Sequence, residues 1–179
     1  MLNGEEKLVN DAIRGEASAF GSLYDYYQPK IYRFVIIKVG TREEAEDLTH
    51  QVFLSAWQNI HTYQSLGYPF GSWLYQIARN QVIDHYRARK ANVSLEMVNP
   101  EYFIAPVMAN LGLDRKLELE RAVAAIQNLK QDYQDVVILR FVEEYSIKET
   151  AELLSKTEGA VKQIQNRALK ELKEKLYHD

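Results

Sequence analysis

Residues 146–176 read SIKETAELLSKTEGAVKQIQNRALKELKEKL, and the fold turns on this stretch. Ser146-Ile147-Lys148-Glu149 is a capping-box pattern, a hydroxyl and a carboxylate that each accept from an orphaned backbone N–H, so a short helix opens there and runs through Leu154. Ala151 is small enough to permit a close helix crossing. A turn follows at Ser155 and Lys156, and Thr157 caps a second helix. Within it Val161, Ile164, Ala168, Leu172 and Leu176 form a buried stripe at helical spacing, while Lys162, Gln163, Asn166 and Lys170 face outward. Two helices with a four-residue connection and an amide-rich outer face make a DNA-reading motif, because the second helix fits the major groove and its early residues reach base edges. Phosphate contacts from Lys162, Arg167 or Lys170 would each add a salt slope of about −0.9 per phosphate neutralised.

Moving toward the N-terminus, Tyr63, Tyr68, Phe70, Trp73 and Tyr75 crowd a stretch broken by Gly67, Pro69 and Gly71. Aromatics in a glycine-containing loop stack on unpaired bases. In the helix that follows, Gln76, Asn80, Asp84 and Arg87 fall on one stripe, with Arg79, Arg89 and Lys90 nearby. Amides hydrogen-bond base edges and guanidinium or ammonium groups answer phosphates. Core packing of Trp73, Ile77 and Ala78 beneath a solvated polar stripe is the alternative.

Thr41 and Glu44 repeat the capping-box pattern, so another helix starts just after Thr41. Ala45, Leu48, Val52, Phe53, Ala56, Trp57 and Ile60 form its core-facing stripe. The opposite face carries Asp47, His50, Gln51, Leu54 and Gln58, read either as a docking surface or as a wet face. His50 lies one turn from Asp47, but His61, His85 and His178 stand at no usual ligand spacing from it, so no metal site is expected. No cofactor is expected either.

Helical spacing continues through Phe20, Leu23, Tyr24, Tyr27, Ile31, Phe34 and Val35, which makes the chain all-α. Pro29 falls where a new helix can begin. Between about Val93 and Asp114 the periodicity fails around Pro100, Pro106 and Gly112. The expected organisation is therefore two small helical domains, 1–93 and 114–179, joined by a flexible linker at 94–113.

The 179 residues are 46% apolar, as in a folded protein, and contain no cysteine, which excludes a disulfide framework and fits a cytoplasmic setting. No apolar run is long enough for membrane insertion, and Met1-Leu2-Asn3-Gly4-Glu5-Glu6 is unlike a signal peptide. Net charge is −3, yet basic residues gather at Arg79–Lys90 and at Lys162–Lys175. That distribution suits a protein that meets DNA as part of a larger assembly; solvated helix faces would give the same charge pattern.

Three ordered motifs, DLTHQVFLSAW from Asp47, WLYQIARN from Trp73 with Ile83-Asp84, and AELL from Ala151 through EGAVK at Glu158 to Asn166-Arg167-Ala168, resemble the extracytoplasmic-function (ECF) subfamily of bacterial RNA polymerase sigma factors. The resemblance implies an alternative sigma factor, not an enzyme, that binds core RNA polymerase and directs it to promoter DNA. Asp47, His50, Gln51, Leu54 and Gln58 would dock on the β′ clamp coiled coil. Tyr63, Phe70, Trp73, Gln76, Arg79, Asn80, Asp84, Arg87, Arg89 and Lys90 would open and read the −10 element, where a base is flipped out of the stack. Thr157, Lys162, Gln163, Asn166, Arg167 and Lys170 would read the −35 element, beside a contact with the β flap. An anti-sigma factor is a further implied partner. The chain departs from the family at His50-Gln51, where Gln-Glu is usual, at Ser155, where glycine is common, and at Gln165-Asn166. A stand-alone helix-turn-helix regulator is the alternative, and it would need neither the aromatic loop nor the Asp47 face. A small helical enzyme lacks support, since no nucleophile, metal cluster or phosphate-cradling glycine loop is present.

Overall fold

The structure, a computed structural model, describes residues 2, 4–65, 67–92 and 113–177, with backbone alone at 89–92, 113–116 and 177. The linker expected at 94–113 lies almost wholly outside the described residues.

Helix α1 (Glu5–Ile13) is short and buries Val9 and Ala12. Helix α2 (Ala17–Val39) buries Leu23, Tyr27, Ile31, Phe34, Val35 and Lys38, residues three or four apart or adjacent on one broad face. It ends at Gly40, whose φ of 99° and N–H bond to the Ile36 carbonyl form a left-handed cap that a side chain would strain. Pro29 does not start a new helix but lies inside α2. The ring removes one backbone bond to Asp25; both residues are exposed, and buried Tyr27 and Ile31 hold the turns on either side.

Helix α3 (Arg42–Asn59) starts where expected, with Thr41 Oγ1 accepting from the Glu44 N–H. The capping box is only half made. The Glu44 carboxylate accepts instead from the Thr41 hydroxyl at 2.8 Å and lies 3.3 Å from His85 Nε2. A single 3₁₀ turn (Ile60–Thr62) leads into the aromatic stretch, and α4 (Phe70–Asn92) begins earlier than the glycines suggested. Phe70, Trp73 and Tyr75 are thus helical. Ile31, Phe34, Val52, Leu74 and Val82 form the centre of this module, each burial stabilising by about 1.5–3 kcal/mol.

The second module comprises α5 (Leu113–Gln127), α6 (Gln131–Val137) continued by a π-helical turn (Ile138–Val142), α7 (Ile147–Leu153) and α8 (Glu158–Tyr177). Both halves of the Ser146–Glu149 capping box are present. Val161 and Ala168 of α8 are fully buried, whereas Leu176, expected in the stripe, is 38% exposed because it lines an open cleft of about 410 Å³ between α5 and the end of α8. The modules lie against one another, and their buried apolar residues form one contiguous cluster. Among the described residues no helix is long and apolar enough to cross a membrane.

Candidate nucleic-acid interface

Three exposed surfaces collect the residues singled out from the sequence. On α8, Lys162, Gln163, Asn166, Arg167 and Lys170 are all exposed, and the Thr157 hydroxyl accepts from the Ala160 N–H at 3.1 Å to fix the helix start. Helix α7 crosses beneath at buried Ala151. Between them Ser155 adopts φ 51°, the left-handed conformation that glycine takes without strain. That is the physical content of the departure at this position.

On α4, Gln76, Asn80, Asp84 and Arg87 form an exposed row, with the Gln76 amide donating to Asn80 Oδ1 at 3.0 Å and Arg87 3.3 Å from Asp84. The side chains of Arg89 and Lys90 lie outside the described set. Arg79, expected near this row, turns away from it: its Nε is 2.7 Å from Asp135 and its Nη2 2.9 Å from Asp132, both on α6. Phe70 is buried, packed edge-on against Tyr27 and Tyr63 and tilted against Trp73. The exposed aromatic is Tyr68, which the glycine-broken stretch contained. With Thr62, Tyr63, Trp73 and Gln76 it lines a cleft of about 360 Å³ whose far rim is Ser155 of the second module.

The start of α4, beside this cleft, is held by a residue the sequence did not single out. Glu5 of α1 accepts from the Phe70 N–H at 2.9 Å and from the Tyr27 hydroxyl at 2.5 Å, capping α4 across 65 residues of chain. Burial, then the Glu5 carboxylate, pushes the Tyr27 hydroxyl far above its usual pKa, so it remains a donor. A contact this distant in sequence leaves no local signal.

On α3, Asp47, His50, Gln51, Leu54 and Gln58 are all exposed. Trp57, expected in the core, is 39% exposed: one face packs on Phe20 at 4.9 Å and the other is open. Tyr24 of α2, packed on Phe53 at 4.7 Å, is exposed beside it. Three large apolar side chains, Tyr24, Leu54 and Trp57, thus mark a face that solvation alone does not require. Among the described residues no group of three or more histidines and carboxylates could hold a metal ion.

A helix-turn-helix with a free polar recognition face, carried in one all-α chain with an aromatic cleft and an amide-lined helix, defines a transcription initiation factor of the sigma type. Residues 23–92 match the family model "Sigma-70 region 2" and residues 125–174 match "Sigma-70, region 4". The chain is 40% identical over 169 residues to the ECF RNA polymerase sigma factor BldN of Streptomyces coelicolor, covering 93% of this chain and 63% of that protein's length. It is 30% identical over 159 residues to the ECF RNA polymerase sigma factor SigX of Bacillus subtilis, covering 86% of this chain and 81% of that one. The solved structure of the sigma factor RpoE in complex with the anti-sigma factor NepR from Bartonella quintana superposes with a TM-score of 0.67 at 25% identity, covering 89% of this chain and 98% of that one. The chain belongs to the ECF RNA polymerase sigma factors, alternative sigma factors that direct transcription initiation.

Proposed function

We propose that this chain brings core RNA polymerase to promoters through a division of labour among its three exposed surfaces. The α8 face, with Lys162, Gln163, Asn166 and Arg167, reads the −35 element in the major groove, and Lys170 answers the backbone. The α4 row, with Gln76, Asn80 and Arg87, reads the melted −10 strand, and the Tyr63–Tyr68–Trp73 cleft receives an unstacked base. The α3 face with Leu54 and Trp57 docks on the β′ clamp coiled coil, where apolar anchors inside a polar rim are what a stable contact needs. Exposed Phe141 and Val142 supply apolar surface for a β-flap contact. An anti-sigma factor is a further partner; the NepR complex of a relative supports this.

The observation that carries the reading is the free polar face of a capped second helix in the helix-turn-helix, joined in one chain to an aromatic cleft. A stand-alone repressor has use for the first but not for the second. Transcription from genomic DNA fragments by core polymerase, with and without the purified protein, tests it. Start sites that share −35 and −10 sequences are expected only with the protein added; no specific initiation and no complex with core would overturn the reading.

A further inference from the structure

The residue before α4 is Pro69, whose ring offers no oxygen to the first N–H groups of the helix. Glu5 supplies one from α1 instead: its Oε1 accepts from the Phe70 N–H at 2.9 Å, and its Oε2 accepts from the Tyr27 hydroxyl at 2.5 Å. Glu5 stands in the first turn of α1, which Gly4 leaves without a side-chain cap, so the positive ends of two helices meet at one carboxylate. Tyr27 is 2% exposed and its ring centre lies 6.0 Å from that of Phe70, so the same packing fixes the hydroxyl and the helix start.

This clasp reaches the cleft through rings. Phe70 packs on Tyr63 at 5.4 Å and on Trp73 at 5.6 Å, and Tyr63 and Trp73 pack on each other at 5.4 Å. Tyr63 and Trp73 line the cleft of about 360 Å³, whereas buried Phe70 lies behind them. A shift of the Phe70 backbone therefore moves two walls together. Glu5 does not line this cleft. It lines a second hollow of about 230 Å³, and Tyr63, Tyr68 and Pro69 line both. Those three residues form a partition with the base cleft on one side and the carboxylate on the other. A wall held in place before the strand arrives needs no ordering at the moment of binding, which strengthens the contact.

We infer that Glu5 is a positioning residue for −10 recognition: it touches no DNA, and by holding the start of α4 to Tyr27 it sets the Tyr63 and Trp73 rings that meet the unstacked base. The inference rests on the assignment of the cleft to that base.

The test reads a coupling between Glu5 and a base that Glu5 does not touch. The full chain, assembled with core polymerase, is titrated with labelled single-stranded non-template oligonucleotides from the −10 region of a promoter mapped in the transcription assay. Each is used intact or with one base at a time replaced by an abasic residue. With the native chain, one abasic position should weaken binding by about tenfold, the loss of one base stacked on aromatic rings. Glu5→Ala should shrink that penalty to about threefold or less, while Glu5→Gln, which keeps an acceptor for the Phe70 N–H and can donate to the Tyr27 oxygen, should hold it within about twofold of native. Tyr27→Phe, which keeps the ring and removes one of the two partners of Glu5, should fall between. A merely structural loss would weaken intact and abasic strands alike and leave the penalty in place. A native-sized penalty in Glu5→Ala, or in Tyr27→Phe should Glu5→Ala not fold, overturns the positioning role. If no abasic position weakens binding by the native chain, the base-binding reading of the cleft has failed, and the positioning role falls with it.

Discussion

Ser155 shows how one residue can be both a signature and a strain. Its φ of 51° places Cβ against the following carbonyl, which costs an L-residue about 1–2 kcal/mol, while glycine loses about 0.5–1 kcal/mol of backbone freedom there. Ser155→Gly should therefore stabilise the chain by about 0.5–1 kcal/mol and raise its melting temperature by about 2 °C; no increase in thermal melting would contradict the argument. Gly71 makes the opposite case. It reads in the sequence as loop punctuation, but it lies in the first turn of α4, where a Cβ would stand 2.9 Å from Tyr27 Cε1 and 3.1 Å from Leu153 Cδ2. Gly71→Ala should cost about 1–3 kcal/mol in urea denaturation. Combined with Leu153→Ala, the total loss should be smaller than the sum of the two single losses, since the shortened side chain opens space on one side of the new methyl. The left-handed turn was legible because a departure from glycine has a local meaning. The close approach was not, because its partners stand 44 residues before and 82 residues after Gly71.

Elements were legible wherever a cap and a stripe agreed. The starts of α3 and α7, and the start of α8 at Thr157, follow from side chains three residues from the N–H they serve. The start of α4 was obscured because its N-terminal N–H is satisfied by Glu5, far away in the chain, and the π-helical turn at Ile138–Val142 leaves no periodic signature over five residues. The α7 cap also carries a pH dependence. The Ser146 hydroxyl, and then its backbone N–H, hold the Glu149 carboxyl below its usual range. A carboxyl depressed in the folded state contributes stability above its unfolded pKa, and that contribution is lost as pH falls through the folded value. Ser146→Ala should thus cost about 1 kcal/mol at neutral pH and less near pH 3, measured by chemical denaturation. On α3 the outer face obeys a different logic, because exposure and apolarity conflict there. Trp57→Ala should weaken core polymerase binding by about 2 kcal/mol or more if Trp57 is an anchor of that contact, and leave the far-ultraviolet helical signal unchanged. Titration of labelled protein with core polymerase reads this directly.

At the scale of the molecule, motif order and the break in periodicity give the expectation of two helical domains, but nothing local says that the two groups of helices meet in one contiguous core. Arg33 and Glu143 are 110 residues apart, and each taken alone is an ordinary polar residue on a helix or at its end. Their pairing is a property of the docked chain. Glu143 is 2% exposed and Arg33 40% exposed, so solvent screens one side of the bond and leaves the other dry. Removing Arg33 strands a buried carboxylate, whereas removing Glu143 releases a cation that can turn to water. The two single substitutions should therefore be unequal: Arg33→Ala should destabilise more than Glu143→Ala. Because both act on one contact, the double variant should cost less than their sum, by a coupling of about 0.5–2 kcal/mol in a denaturation cycle. Additive losses would mean that the modules are apart in solution, since coupling requires the two side chains to touch in the folded chain.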